Sequence, residues 1–352
     1  MNSGDTIAAI STPLGAGGIG IVRLSGPQAR QVLEKIFRRR GADGPFLSRR
    51  FYLGEIFRPR GAAGGGVIDE VLAVFMEKPR TYTREDVVEI HAHSGILILQ
   101  EILKAALQSG ARLAEPGEFT KRAFLNGRID LTQAEAVIDL IQSRTRKSLE
   151  LANLQRQGRL GVEVRQVRER LLDLLAGIEA SIDFPEDEVP ELSGETIRLR
   201  LQEPLERVNA LLQTYEEGKI YREGVSAAII GRPNVGKSSL LNALLREDRA
   251  IVTPIPGTTR DVIEEAVNVR GIPLRLMDTA GLRHTKDAVE VEGVRRTRDR
   301  LARADLVIWV VDGSEPLTAD DRDILNEVRE RRVVVAINKN DLLLRLDLQD
   351  LA

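Results

Sequence analysis

A glycine-rich octapeptide at residues 231–238, GRPNVGKS, restricts the possible folds of this chain more than any other feature. It follows an apolar run, Val225 to Ile230, and precedes a helix-like segment, Ser239 to Leu245. Glycines between a strand and a helix let backbone N–H groups surround phosphates, and the helix N-terminus adds a positive dipole. We therefore predict a phosphate-binding loop in which Lys237 reaches the β- and γ-phosphates and Ser238 binds Mg²⁺.

Strand-like and helix-like segments alternate from residue 224 onward. The strand-like runs are too apolar to have one face in water, which predicts an α/β domain with a doubly wound, mostly parallel sheet. The expected strands are Val225 to Ile230, Val262 to Val269, Leu274 to Met277, Leu306 to Val311 and Val333 to Ile337, and the expected helices are Ser239 to Leu245 and Glu290 to Leu301.

Two tetrapeptides at the ends of later strands extend the predicted site. Asp278-Thr279-Ala280-Gly281 follows one strand, where an aspartate can hold Mg²⁺ through water and a glycine N–H can contact the γ-phosphate. Asn338-Lys339-Asn340-Asp341 follows another, and the Asp341 carboxylate can accept both N–H groups of the guanine edge. Three motifs in this order at successive strand ends predict a site that binds and hydrolyses GTP.

A threonine-containing loop, Thr253 to Asp261, lies in the position of the first switch of a GTPase. We expect Thr259 to complete the Mg²⁺ shell; the alternative is an ordinary Pro/Gly turn. Leu282 stands where many small GTPases carry a water-orienting glutamine, so hydrolysis must be arranged differently. The predicted GTP-binding residues are Asn234, Val235, Gly236, Lys237, Ser238, Ser239, Thr253, Thr258, Thr259, Asp278, Thr279, Ala280, Gly281, Asn338, Lys339 and Asp341, of which Lys237 and Thr259 are also predicted to be catalytic.

Composition argues against several other kinds of site. The 352 residues include no cysteine and three histidines, and the formal net charge is -2. Disulfides, thiolate metal sites and cysteine nucleophiles are therefore excluded, zinc is disfavoured, and RNA binding would need a local basic patch. No apolar run approaches the roughly 20 residues that span a bilayer, so we expect a cytoplasmic protein.

Three short polar segments have two interpretations each. His91 and His93 lie on one face of a strand-like run and could bind a metal, although core or turn histidines are more common. The basic runs Arg38 to Arg40 and Arg144 to Lys147 could contact RNA phosphate or form solvated faces.

The spacing of apolar residues changes along the chain, which predicts domains at residues 1–121, 122–219 and 220–352. The first domain is mixed α+β, and the second is helical. Apolar residues from Leu160 to Ile178 form one helical stripe, which should end at the acidic segment Asp183 to Pro190. A second amphipathic run, Ile197 to Leu212, contains Pro204, where we expect a kink or a break.

Several segments resemble a known family. The phosphate loop with its internal asparagine, GTTRD at 257–261 and DTAGLR at 278–283 resemble the TrmE-Era-EngA-like GTPases. GAGGIGIVRLSG at 15–26, EDVVEIHAHSG at 85–95, PGEFTKRAFLNGRIDL at 116–131 and QAEA at 133–136 narrow this to the tRNA-modification GTPases of the MnmE/TrmE family. The resemblance, which runs from the first residues to Asp341, implies a multidomain protein. Its parts would be an α+β N-terminal domain of the tetrahydrofolate-binding type, an α-helical middle domain and an α/β P-loop GTPase domain.

The resemblance also implies how GTP is hydrolysed. A K⁺ ion beside the phosphates would be bound by the Asn234 side chain together with Thr253, Ile255 and Thr258, although Asn234 could be an ordinary turn asparagine. Glu290 would orient the attacking water after two GTPase domains associate; the alternative is a first-turn glutamate favoured by the helix dipole.

The same resemblance implies further ligands and partners. Formyl- or methylene-tetrahydrofolate would bind Arg23, Glu89 and Arg128, because a glutamyl tail favours arginine and a pterin edge favours a carboxylate; the two arginines could also be simple surface charges. Members of the family form homodimers through the N-terminal domain. With an FAD-dependent partner subunit they add an aminomethyl or carboxymethylaminomethyl group to C5 of the tRNA wobble uridine.

The chain ends earlier than the family pattern, at Ala352 and without a C-terminal Cys-x-Gly-Lys motif. We therefore expect incomplete helical and GTPase domains, an uncovered apolar edge on the strand Val333 to Ile337, and missing packing partners for the stripe Leu160 to Ile178. Two rival functions are an RNA- or ribosome-docking GTPase switch without modification activity, and a folate-binding scaffold without turnover.

Overall fold

The computed structural model describes residues 4–15, 17–41, 44–59, 66–183, 193–247, 265–277, 304–347 and 349. The described chain divides into two compact units, an N-terminal unit up to Val137 and a C-terminal unit from Ile138. Each unit has its own sheet. The finer division into three domains stays a prediction.

The N-terminal unit is an α+β fold around a seven-stranded sheet with the order β3-β4-β5-β6-β2-β1-β7. Neighbouring strands are antiparallel except β1 and β7, which are parallel. The strands are β1 (Ile7–Ile10), β2 (Gly20–Ser25), β3 (Phe37–Arg39), β4 (Phe51–Phe57), β5 (Val67–Met76), β6 (Val87–Ala92) and β7 (Arg112–Leu113). The helices are α1 (Ala29–Ile36), α2 (Ile96–Gln108) and α3 (Glu118–Leu125), and α4 (Leu131–Gln142) contains the boundary between the units.

The core of this unit lies between the sheet and helices α1 and α2. Strand β4 alternates exposed and buried residues, as expected for a strand with one solvated face. Its buried positions include Gly54, where a Cβ atom would lie 2.3 Å from the Arg38 carbonyl oxygen and collide with the Phe37 ring. Glycine therefore allows strand β3 to approach β4 closely.

A cluster of charged side chains ties helix α3 to the rest of the N-terminal unit. Arg122, with a side chain only 11% exposed, contacts Asp5 at 2.6 Å and Glu85 at 3.1 Å. Arg112 contacts Glu118 at 2.6 Å and Asp5 at 2.5 Å. Hydrogen bonding from Arg112, above all, holds the pKa of Glu118 at about 2, against an ordinary value of 4.5.

The C-terminal unit begins with three long helices, α5 (Arg146–Arg156), α6 (Arg159–Asp183) and α7 (Gly194–Glu223). Helix α6 is described as far as Asp183, and the rest of the acidic segment that was predicted to end it lies outside the described residues. Helices α6 and α7 are antiparallel neighbours, since Arg170 lies 3.8 Å from Glu203 and Arg207 lies 3.6 Å from Glu163.

Of the kink or break expected at Pro204, the break does not occur. Helix α7 is continuous for 30 residues, and Pro204 is the residue that it buries. A proline removes one backbone hydrogen bond, and in a helix this long the remaining bonds and the packing against α5 and α6 offset that loss.

The second sheet has the order β12-β11-β8-β10-β9, and all its neighbouring pairs are parallel except β9 with β10. Its strands are β8 (Val225–Ile230), β9 (Glu265–Val269), β10 (Ile272–Leu276), β11 (Leu306–Asp312) and β12 (Val333–Asn338). Helices α8 (Lys237–Glu247) and α9 (Ala319–Val328) follow β8 and β11. Two hydrophobic clusters contain residues from the sheet, which confirms the doubly wound α/β prediction. The predicted helix Glu290 to Leu301 lies outside the described residues.

Apolar side chains are exposed on strand β12 and on helix α6 in the described part of the chain. Strand β12 is the last strand of its sheet, and its Val334 side chain is 52% exposed. On the α6 stripe, Leu174 is buried, whereas Val164 and Leu171 are 50% and 42% exposed. Over the same residues no helix is long and apolar enough to cross a membrane.

The two histidines that could bind a metal have carboxylate neighbours instead. His91 Nε2 lies 3.3 Å from Glu89 Oε2, and His93 Nδ1 lies 2.9 Å from Asp69 Oδ1. Nowhere in the described ranges do three or more His, Cys, Asp or Glu side chains form a group that could hold a metal ion. The metal interpretation of the pair is therefore not supported.

We expect Glu118→Gln to lower the free energy of unfolding of the N-terminal unit by about 2 kcal/mol near neutral pH, because Arg112 loses its charged partner. The folded-state pKa of Glu118 is depressed, so its stabilisation is present above pH 4.5 and is lost as the pH falls toward 2. Urea unfolding followed by far-ultraviolet circular dichroism should therefore show a difference between variant and wild type that shrinks in acid. A difference of the same size at about pH 7 and about pH 3 would contradict this assignment.

Candidate functional site

The predicted phosphate loop connects strand β8 to helix α8, which is the context that its function requires. Gly231, Asn234 and Gly236 have positive φ angles of 143°, 64° and 98°. A Cβ atom at Gly231 would lie 2.4 Å from the Val310 carbonyl oxygen, so the loop passes close to strand β11. Left-handed positions in a loop that opens a helix let N–H groups converge on an anion, and α8 adds its dipole.

Lys237, the first residue of α8, folds back along the loop. Its Nζ donates hydrogen bonds of 2.7 Å to the carbonyl oxygens of both Gly231 and Arg232. Burial lowers the pKa of the Lys237 ammonium below its usual value. The loop thus fixes a cation beside the N-terminus of α8, where a triphosphate would carry its charge.

The motif that is predicted to select guanine is joined directly to the predicted phosphate loop. Asn338 Nδ2, at the end of β12, donates a 2.7 Å hydrogen bond to the carbonyl oxygen of Val235. The same amide occupies the space beside Gly236, where a Cβ atom would lie only 1.9 Å from Asn338 Nδ2. Val235 itself is 1% exposed and belongs to the core, so its predicted part in binding is limited to its backbone.

Lys339 and Asp312 form an ion pair that the sequence did not reveal. Lys339 Nζ lies 2.5 Å from Asp312 Oδ2, and Lys339 has a left-handed φ of 61°. Burial alone would raise the pKa of Asp312, but hydrogen bonds from Lys339 and Ser314 outweigh it and hold the pKa at about 2. This pair fixes the turn after β12, and Asp341 is exposed on that turn.

Arg232 is a second residue that sequence reasoning missed. Its guanidinium lies 2.6 Å from Glu315 and 3.3 Å from Asp321, which is buried at the start of helix α9. The phosphate loop is therefore attached to an element about 80 residues further along the chain. The Thr318-to-Asp321 capping box predicts the start of α9, but it carries no information on the contact with Arg232.

The other predicted nucleotide residues fall into two groups. Asn234, Ser238 and Ser239 are exposed on the loop and in the first turn of α8. The remainder lie outside the described residues: Thr253, Ile255, Thr258, Thr259, Asp278, Thr279, Ala280, Gly281 and Glu290.

The three predicted folate residues lie in the N-terminal unit. Arg23 and Glu89 are directly opposite on strands β2 and β6, and Arg23 Nε donates a 2.9 Å hydrogen bond to Glu89 Oε1. The Arg23 guanidinium also lies 5.8 Å from the centre of the Phe119 ring. Arg128 lies over the Tyr82 ring at 5.0 Å and donates to the Tyr82 carbonyl oxygen. The structure pairs Arg23 with Glu89, and Arg128 lies in a separate contact.

Comparisons with known proteins assign the N-terminal and the C-terminal parts of the chain to the same family of proteins. Residues 6–128 match the family profile described as GTP-binding protein TrmE N-terminus, and residues 131–349 match the one described as MnmE helical domain. The tRNA modification GTPase MnmE of Geobacter metallireducens is 55% identical over 338 residues, which are 96% of this chain and 73% of that protein. The protein of the same name from Lactiplantibacillus plantarum is 53% identical over 350 residues, covering 99% of this chain and 74% of that protein.

Two solved structures are similar in sequence to about a third of this chain. Aquifex aeolicus Era, solved with GDP·AlF4⁻, is 31% identical and covers 33% of this chain and 41% of that chain, with a TM-score of 0.25. The G domain of Thermotoga maritima FeoB is also 31% identical, covers 33% of this chain and 73% of that chain, and has a TM-score of 0.24. TM-scores this low support no structural argument.

We expect Gly236→Ala to weaken guanine nucleotide binding at least about tenfold. The new methyl group would displace the Asn338 amide, and the left-handed backbone would add strain of about 1 kcal/mol. Titration with a fluorescent guanine nucleotide measures the effect. Gly218→Ala, in helix α7 with nothing within 4 Å of the new atom, is the matched control and should bind normally. Equal affinity of the two variants would contradict the close approach of Asn338.

We also expect Arg232 to be coupled more strongly to Asp321 than to Glu315, although its contact with Glu315 is shorter. The Asp321 side chain is 2% exposed and that of Glu315 is 55% exposed, so water screens the second pair. A double-mutant cycle of Arg232→Gln with Asp321→Asn should give a coupling energy above about 1 kcal/mol. The cycle of Arg232→Gln with Glu315→Gln should give less than about 0.5 kcal/mol. Unfolding can be followed by the fluorescence of Trp309, the single tryptophan, which is buried in β11. The reverse order of couplings would contradict this account.

Proposed function

The chain belongs to the MnmE family of tRNA modification GTPases, and from this premise we propose that it hydrolyses GTP in a K⁺-assisted reaction that serves modification of the tRNA wobble uridine. It is an enzyme of the GTPase class, a hydrolase that converts GTP to GDP and phosphate. The single observation that carries the proposal is the hydrogen bond between Asn338 and the phosphate loop, because it joins the base-selecting motif to the phosphate-binding motif.

The chain's own groups would bind the nucleotide in three ways. Backbone N–H groups of residues 234–238 would surround the β-phosphate, and Lys237 would exchange its loop carbonyl partners for phosphate oxygens. The Asp341 carboxylate would accept the two guanine N–H groups, held in place by the turn that the Lys339 and Asp312 pair fixes. Adenine presents no such pair of donors, so GTP would be preferred over ATP.

Two cations fit the described residues of the loop. Ser238, exposed in the first turn of α8, would be a ligand of Mg²⁺ together with Thr259. Asn234, exposed and left-handed within the loop, would bind K⁺ by its side chain, together with Thr253, Ile255 and Thr258. When bound, the two cations supply positive charge beside the β- and γ-phosphates, where charge develops during phosphoryl transfer. Glu290 would orient the attacking water.

The N-terminal unit would bind a one-carbon folate. Glu89 would accept hydrogen bonds from the pterin edge, while Arg23 and Arg128 would bind anionic groups of the ligand. Arg23 supports this role because its side chain is 30% exposed, although it already contacts Glu89 Oε1 through both Nε at 2.9 Å and Nη2 at 2.8 Å. A formyl or methylene group on the folate would provide the carbon that is attached to C5 of the uridine.

We further propose that the chain acts as a homodimer through its N-terminal domain, in the cytoplasm and with an FAD-dependent partner subunit that binds tRNA. The division into domains at 1–121, 122–219 and 220–352 is part of this proposal. A GTPase switch that only docks on RNA or ribosomes would have no use for a folate. Binding of formyl-tetrahydrofolate to the N-terminal unit therefore separates the two functions.

We expect GTP hydrolysis to be at least about tenfold faster in KCl than in NaCl at equal ionic strength, which corresponds to about 1.4 kcal/mol of barrier. Phosphate release measured in each salt tests this, and Asn234→Ala should remove most of the K⁺ advantage. The control is Asn209→Ala, an exposed asparagine on helix α7. Equal rates in the two salts would reject the cation mechanism, and no hydrolysis in either would favour the scaffold hypothesis.

A further inference from the structure

An open cavity of about 520 Å³ in the N-terminal unit has an unusual charge. Three of its seven lining residues are arginines, and none is acidic. The lining residues are Met76, Pro79, Arg80, Thr81, Tyr82, Arg84 and Arg128. Only Arg128 belongs to the folate residues that the family resemblance implies, so Arg80 and Arg84 have no assigned role.

The three guanidinium groups are not neutralised by the protein. Arg128 donates to the Tyr82 carbonyl oxygen at 3.0 Å, and Arg84 donates to the Asn126 carbonyl oxygen at 3.0 Å. Within the part of the chain that the structure describes, none of the three forms an ion pair with a carboxylate. All three are exposed, so they are accessible to a ligand.

The acidic residues next to this segment have other partners. Glu85 accepts hydrogen bonds from Ser25 and Arg122, and Asp86 accepts one from the backbone N–H of Lys78. Neither carboxylate is part of the cavity lining, which therefore contains three guanidinium groups and no acidic side chain. An uncompensated group of three guanidinium ions favours a ligand with several negative charges.

Arg84 has a backbone conformation that needs an explanation. Its φ is 58°, in the left-handed region that costs a residue with a Cβ atom about 1 kcal/mol. Glycine would form the same turn without this strain. In this conformation Arg84 lines the cavity, and its Nη1 donates to the Asn126 carbonyl oxygen.

A chain of contacts connects the cavity to the Arg23 and Glu89 pair. The Tyr82 hydroxyl lies 2.9 Å from Thr120 Oγ1, and the neighbouring Phe119 ring lies beneath the Arg23 guanidinium. The cavity and the Arg23 and Glu89 pair therefore belong to one contiguous part of the N-terminal unit. A ligand whose uncharged, hydrogen-bonding end lay at Glu89 would reach the arginines with its anionic end.

We propose that the arginine cavity binds the γ-linked oligoglutamyl tail of the one-carbon folate and makes the site selective for tail length. This inference rests on the folate binding proposed above. Each added glutamyl residue brings one more α-carboxylate, and Arg80 and Arg84 meet the charges beyond the first. The affinity for the folate would then increase with the number of carboxylates in its tail.

The experiment compares 5-formyl-tetrahydrofolate carrying one glutamate with the same compound carrying three, by isothermal titration of the full chain. We expect the triglutamate to bind wild type at least about tenfold more tightly, with an advantage that falls as salt is added. In the double variant Arg80→Gln, Arg84→Gly the two ligands should bind within about twofold of each other, and monoglutamate affinity should stay near the wild-type value. Arg84→Gly relieves the left-handed strain, so loss of folding does not explain the result.

Arg50→Gln is the matched control, because Arg50 is an exposed arginine of the same unit that lies over Tyr52 and does not line the cavity. It should keep the preference for the triglutamate. Equal binding of both ligands to wild type, or a preference that survives in the double variant, would overturn the inference while leaving folate binding intact. If neither folate binds the wild type, the proposed folate binding is rejected. The proposed binding of a glutamyl tail in the cavity is then rejected with it. Inorganic tripolyphosphate competing as well as the triglutamate would also overturn selectivity for the glutamyl tail.

Discussion

The hydrogen bond from Asn338 to the Val235 carbonyl oxygen is the contact on which the arrangement of the nucleotide site depends. It joins the end of β12 to the loop after β8, two strands that are separated in the sheet by β11. The bond forms because residue 236 has no Cβ atom, so the amide of Asn338 can lie against the loop backbone. The absence of one methyl group thus fixes the distance between the parts of the site that would bind the base and the phosphates.

Paired charges support this contact from both sides. Lys339 and Asp312 fix the turn after β12, while Arg232 connects the loop to the first turn of α9. In each case at least one partner is nearly inaccessible to water, which strengthens the electrostatic attraction and makes an unpaired charge expensive. The loop and the turn after β12 are therefore held by side-chain pairs, and Arg232, Asp312 and Asp321 belong to them without being predicted nucleotide ligands.

The sequence predicted those features that short stretches of chain determine by themselves. The phosphate loop, strand β8 and helix α8 follow from glycine spacing and apolar runs within about 20 residues. The supporting contacts could not be predicted, because the partners of Arg232 and Asn338 lie 83 and 103 residues away. At Pro204 a prediction from local sequence was not sufficient. Proline propensity suggested a kink or a break, but the helix continues through this residue because the packing of a long helix outweighs the local preference. Arg23 and Glu89 were both expected at a ligand site, but only the strand register revealed that they bind each other.

The uninterrupted helix α7 has a mechanical consequence. Thirty residues of α-helix form a rod of about 45 Å, which ends at Glu223 and continues through a single left-handed glycine into β8. At that joint a Cβ atom on Gly224 would lie 2.3 Å from the Pro273 carbonyl oxygen, so the chain has little room to bend there. Only the six residues of β8 separate this joint from the phosphate loop. If β8 and α7 moved together as one body, a small rotation of the strand at the phosphate loop would displace the far end of the helix by several ångströms.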